Sequence, residues 1–209
     1  MLSAFARARD ETEAGEKDFW TMSLFLLLDC TKGFDHSSHE WLLECLKCAN
    51  TPEPVRLAVE VLIQNEPILR LKGKEFSPFK WKGDLHQGGP ASTILFLISV
   101  DPLLATLEKM QGVVSRPLRS FAGRENSASA DAPTDEPIVS GFVDDWAAEF
   151  EGPRALAQGL RKIERFEEAS GQVVHRGKTA VVPARKLSTE EIEVIRETWA
   201  DITISYNER

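Results

Sequence analysis

The sequence predicts an α+β domain, a mainly antiparallel sheet with helices packed on one face. Two observations carry this. Two short apolar runs, Ser23-Leu24-Phe25-Leu26-Leu27-Leu28-Asp29 and Ile138-Val139-Ser140-Gly141-Phe142-Val143-Asp144-Asp145, read as strands that end in carboxylates. Between and after them lie segments with helical apolar spacing, separated by Gly and Pro punctuation.

Taken in order, residues 1–20 are polar and acidic and read as a weakly ordered lead-in. Residues 22–29 read as a central strand. A turn with Gly33 leads to a helix over 38–48, where Trp41, Leu42, Cys45 and Leu46 recur at helical spacing, with Ser37 or Ser38 as N-cap. A second helix runs over 54–65 after Pro52 and Pro54. Residues 67–83 read as a hairpin, Ile68–Leu71 against Phe79–Trp81, turning near Gly73-Lys74. Gly88-Gly89-Pro90 opens a loop into a long helix over 91–110. Residues 112–137, rich in Ser, Asp and Pro, read as an extended or disordered insertion. Residues 138–150 form a second hairpin with Asp144-Asp145 in its turn. A helix over 153–170 ends at Gly171, a left-handed stop. A strand follows over 179–182. Ser188 with Glu191 three residues on predicts a capping box that starts a last helix. The division is a lead-in (1–20), a main domain (21–186) and a C-terminal helix and tail (187–209).

Composition bounds the function. The chain has 209 residues, 42% hydrophobic and 28% charged, as in ordinary globular domains. The start has no apolar stretch of secretory type, and no run reaches the ~20 apolar residues of a membrane span. Three cysteines suit a reducing, intracellular setting. Cys45 and Cys48 form a CxxC without a second pair, so they read as two thiols facing the core rather than a zinc site. The net charge of −8 argues against a self-sufficient nucleic-acid binder. Two local basic stretches, Arg70 to Lys82 and Arg154 to Lys186, are of the kind that attracts phosphate backbones, and equally of the kind that forms the solvated faces of a hairpin and a helix.

The carboxylates carry the chemistry. An Asp at the end of a buried strand is costly unless its charge is compensated. Two such strands side by side bring Asp29, Asp144 and Asp145 together, and their repulsion calls for a cation. Hard divalent ions with oxygen ligands suit the cluster, Mg²⁺ first, and a pair of ions would clamp an in-line phosphoryl transfer.

From here the sequence resembles a known family. Leu27-Leu28-Asp29-Cys30-Thr31-Lys32-Gly33-Phe34-Asp35-His36 is similar to motif A of reverse transcriptases of the non-LTR retrotransposon type. Phe142-Val143-Asp144-Asp145 resembles motif C. His86-Gln87-Gly88-Gly89-Pro90-Ala91-Ser92 resembles motif B, and Phe166 to Gly171 with Gly177-Lys178-Thr179 resembles motif D. The four stand in the family's order and cover residues 22–183. Val143 and Gly89 depart from the commoner residues at their positions.

The resemblance implies a right-hand polymerase palm and RNA-directed DNA polymerase activity. Asp29, Asp144, Asp145 and the backbone carbonyl of Cys30 would hold two Mg²⁺ ions. Lys178 would act as proton donor or electrostatic partner for the pyrophosphate. Phe34 would stand under the sugar and exclude a 2′-hydroxyl, which disfavours an RNA-copying viral enzyme; a core aromatic is the competing reading. Gln87 and Gly88 would lie under the incoming base pair, Gly allowing close backbone approach. Asp35 reads as structural, capping the next helix. The implied partners are an RNA template, a DNA primer and deoxynucleoside triphosphates, with no membrane, and the implied setting is the nucleus. The expectation is a palm-centred fragment lacking most of fingers and thumb and inactive alone. The alternative is a non-enzymatic retroelement remnant.

Overall fold

The computed structural model describes residues 23–31, 33–63, 68, 70–77, 85, 89, 91–117, 135–137, 139–142 and 145–206. The lead-in over 1–20, most of the 112–137 insertion, and Phe79–Trp81 lie outside them. Among the described residues are helices α1 (His39–Cys48), α2 (Glu53–Ile63), α3 (Ser92–Glu108), α4 (Pro153–Ser170) and α5 (Thr189–Arg196). The main sheet holds β1 (Leu24–Asp29), β6 (Val139–Phe142), β7 (Asp145–Phe150), β8 (Ala180–Pro183) and β9 (Thr203–Ile204), ordered β6-β7-β1-β8-β9. All its pairings are antiparallel except β8 with β9. The α+β class with an antiparallel-dominated sheet is therefore as expected.

β1 is the centre, and its alternation decides what the two faces do. Leu24, Leu26 and Leu28 are buried and stand opposite Phe150, Ala148 and Trp146. That face meets Leu156, Leu160, Ile163 and Phe166 of α4, and Phe96, Val100 and Leu103 of α3, in one core. Trp146 meets the Phe166 ring edge-on at 6.1 Å, and Trp41 does so at 5.9 Å. Phe25, Leu27 and Asp29 take the other face and are half-buried. An all-apolar run thus behaves as a one-sided strand, which periodicity alone could not reveal.

Local chemistry sets the helix ends. Ser38 caps α1, its hydroxyl accepting from Trp41 N–H at 3.3 Å, so Asp35 is not the cap. Asp35 is exposed in the preceding turn. Gly171 closes α4 at φ 75°. The capping box of Ser188 and Glu191 forms as expected. Its Glu191 carboxyl is held down to about 2, first by the Arg185 guanidinium and then by the Ser188 N–H. α3 continues through Pro102, and Trp41 Nε1 donates to the Ser99 carbonyl at 2.8 Å, next to the carbonyl that Pro102 leaves without its helical donor.

Three expectations need correction. Among the described residues the first hairpin turns at Lys72-Gly73, both with positive φ, and pairs β2 (Arg70–Leu71) with β3 (Lys74–Glu75). The ends of the 112–137 insertion pair as β4 (Ser115–Pro117) and β5 (Asp135–Pro137). Of the CxxC pair, Cys48 is exposed and Cys45 is buried. Burial, followed by the neighbouring Cys48, pushes the Cys45 thiol up to about 11. Mass-spectrometric mapping of brief iodoacetamide labelling at pH 8 should therefore find Cys48 alkylated well before Cys45, since the thiolate is the nucleophile. Equal rates would contradict this packing.

Candidate active site

Asp29 ends β1 and Asp145 opens β7, and the two stand directly opposite each other. Paired residues of an antiparallel ladder point to the same face, so both carboxylates lie on the face that carries Phe25 and Leu27, away from the helix-covered core. Phe142 pairs with Asp145, so only two residues connect β6 to β7. The Asp29 carbonyl accepts from His175 N–H at 2.7 Å on the other edge of β1. The Asp29–Asp145 pair is therefore of the non-hydrogen-bonded kind, with Cα atoms about 4.5 Å apart and side chains close. Like charges so placed repel.

The loop before β8 completes the surroundings. Thr31 N–H donates to Val173 O at 2.7 Å, and Cys30 bridges Val174, extending β1 by two residues. By the same alternation the Cys30 backbone carbonyl points to the β7 side. Lys178 N–H and Thr179 N–H both donate to His175 O, at 3.0 Å each, forming a tight turn. Lys178 Nζ then lies 3.1 Å from Asp29 Oδ2. Oδ2 is buried and accepts no aligned hydrogen bond, so the contact is an ion pair rather than a hydrogen bond. The Lys178 side chain is 63% exposed, and solvent holds such a pair to at most about 1 kcal/mol.

Glu167 anchors this loop from α4. Its Oε1 accepts from Val174 N–H at 2.7 Å, and its Oε2 pairs with Arg176. The Arg176 guanidinium lies 3.5 Å over the Trp199 ring. Arg176 and Arg185, counted above among the basic residues, are thus engaged within the fold. The Glu167 position lay inside the quoted motif, but its role was not legible there.

Phe34 is half-buried and stacks on Phe96, ring centroids 4.8 Å apart and planes 25° from parallel. Its carbonyl accepts from Leu85 N–H at 2.9 Å. The ring is thus seated on the core while part of it remains open. Gln172 escaped the sequence reading altogether, although it is 1% exposed and makes side-chain hydrogen bonds to two other segments. Gln87, Gly88 and Asp144 lie outside the described residues.

Among the described residues no group of three or more His, Cys, Asp or Glu could hold a metal ion. Two carboxylates on adjacent strands, one with a buried oxygen that lacks an aligned donor, nevertheless suit a hard divalent cation as a partial ligand set.

The sequence matches the family model described as reverse transcriptase (RNA-dependent DNA polymerase) over residues 8–193. No curated protein matches it. Among solved structures it is similar to telomerase from Candida albicans in complex with a TWJ fragment of telomeric RNA, at TM-score 0.57 and 14% identity, covering 89% of this chain and 30% of that one. It is also similar to apo telomerase from Candida tropicalis truncated from its C-terminal domain, at TM-score 0.53 and 13% identity, covering 90% and 35%. The chain thus spans about a third of the length of these proteins, and at such identity the likeness concerns the fold.

Proposed function

Since this chain belongs to the reverse transcriptase (RNA-dependent DNA polymerase) family, we propose that it is the palm of an RNA-directed DNA polymerase of the non-LTR retrotransposon type. The reaction is nucleotidyl transfer from a deoxynucleoside triphosphate to a DNA primer 3′-hydroxyl on an RNA template. The observation that carries the reading is the direct pairing of Asp29 with Asp145 on the sheet face away from the helices. The Gly33-Phe34-Asp35 signature supports the non-LTR assignment.

Asp29, Asp145, Asp144 and the Cys30 carbonyl would hold two Mg²⁺ ions. When bound, these supply Lewis-acid activation of the hydroxyl and charge neutralisation at the pyrophosphate. The chain's own residues do the rest. Asp29 and Asp145 bring concentrated negative charge to one point of the sheet. Lys178, largely exposed and already beside Asp29, swings to meet the charge that develops on the leaving pyrophosphate and can deliver its proton there. Phe34 presents its open edge beneath the sugar. Gln87 and Gly88 support the incoming base pair.

The test is primer extension on an RNA template. The 209-residue chain alone is expected to extend poorly, because it spans about a third of the polymerases it resembles. Joined to the remaining parts of such an enzyme, it should extend in Mg²⁺ and fail in EDTA. Absence of Mg²⁺-dependent extension in that larger chain would count against the reading.

A further inference from the structure

We infer that Gln172 is a positioning residue for Phe34, setting sugar selection from a buried position through two serine hydroxyls; this rests on the gate role proposed for Phe34. Gln172 is 1% exposed, in the loop between α4 and β8. Its Nε2 donates to Ser99 Oγ at 2.8 Å and to Ser37 Oγ at 3.4 Å. Each hydroxyl passes the link on to a carbonyl. Ser37 Oγ donates to Gly33 O at 3.1 Å, and Ser99 Oγ donates to Phe96 O at 2.7 Å. The Gly33 carbonyl belongs to the peptide plane that carries the Phe34 nitrogen. The Phe96 carbonyl belongs to the residue whose ring lies under the Phe34 ring. One amide thus steadies Phe34 through both its backbone and its ring support.

The orientation of that amide follows from the chain of donors. Both hydroxyls spend their proton on a carbonyl, so each offers only lone pairs to Gln172, and the NH₂ end must face them. The opposite end is left with a cost: Gln172 Oε1 is buried without a hydrogen-bond partner. An apolar residue of the same length would avoid that cost. Retaining a glutamine is accounted for by what its two N–H groups hold. Gly33 shows how little slack the arrangement has, since a Cβ there would meet the Phe96 ring at 2.8 Å.

Two variants of the full chain test this, Gln172→Met, which keeps length without donors, and Ser37→Ala, which cuts only the backbone arm. Hydrogen exchange reads the first consequence. The Leu85 amide, which donates to Phe34 O, should exchange at least tenfold faster in both variants, with amides of Leu156 to Ile163 in α4 unchanged. No change at Leu85, or equal acceleration throughout, would overturn the inference. The second consequence is read in the extension-competent larger chain, as the ratio of ribonucleotide to deoxynucleotide incorporation. Phe34→Val should raise it strongly, and Gln172→Met several-fold in the same direction. If Phe34→Val raises the ratio and Gln172→Met does not, the inference fails and the gate stands. If neither does, the gate reading falls and the inference falls with it.

Discussion

Phe96→Ala is expected to destabilise the fold by ~3–5 kcal/mol, the range for truncating a fully buried aromatic. Phe96 is 0% exposed on α3, stacks on Phe34, and fills the space that Gly33 leaves by lacking a Cβ. The neighbouring elements cannot close on the vacated volume, because Gly33 and Phe34 are held by Ser37 and Leu85 from other directions. For a chain of this size a loss of that order lowers the melting temperature by roughly 10 °C, at ~2–4 °C per kcal/mol. Ile94→Ala on the same helix is the contrast. Ile94 is 61% exposed, and its loss should stay within about 0.5 kcal/mol. Similar melting shifts for the two would show that α3 does not pack as described.

Asp29→Asn should separate stability from function. In the extension-competent larger chain it is expected to cut the extension rate by about 10³ or more, or ~4 kcal/mol at ~1.4 kcal/mol per decade. The same change removes a negative charge facing Asp145 and the partner of the exposed Lys178. Those two effects oppose each other and both are small, so the melting temperature should hold steady or rise slightly. A fold-supporting role for Asp29 predicts the reverse pattern, a lower melting temperature with extension rate falling only in proportion to folded protein. Thermal melts beside single-turnover extension rates distinguish the two.

Features that depend on a few adjacent residues were legible in the sequence. The Ser188–Glu191 capping box, the Gly171 stop and the Ser38 cap each rest on side-chain chemistry reaching a few residues along the chain, and each is present. The strand ending in Asp29 was legible from its apolar run, whereas Asp145 opens β7 rather than ending the strand before it. Features that depend on distant partners were not. The half-burial of Phe25 and Leu27 depends on which face the helices cover. Thr203-Ile204 make a parallel edge strand only because Val181 is there to pair with, and two residues carry no pattern of their own. Lys72-Gly73 shows a near miss of another kind, a turn one residue earlier than expected because Lys72 also takes a positive φ. Gln172 gave no signal, since a lone glutamine in a loop reads as solvent-facing until Ser37 and Ser99 are brought to it.

Under the proposed function, Asp29 and Asp145 share one divalent-ion site on the sheet face away from the helices. Crystals of this chain grown with Mn²⁺ and a deoxynucleoside triphosphate, measured at the manganese absorption edge, test it directly. An anomalous peak is expected in contact with an Asp29 oxygen, on the Asp145 side of β1, with Lys178 moved away from Asp29 toward the phosphates. Asp29 and Asp145 on opposite faces of the sheet, or manganese bound only elsewhere, would contradict it.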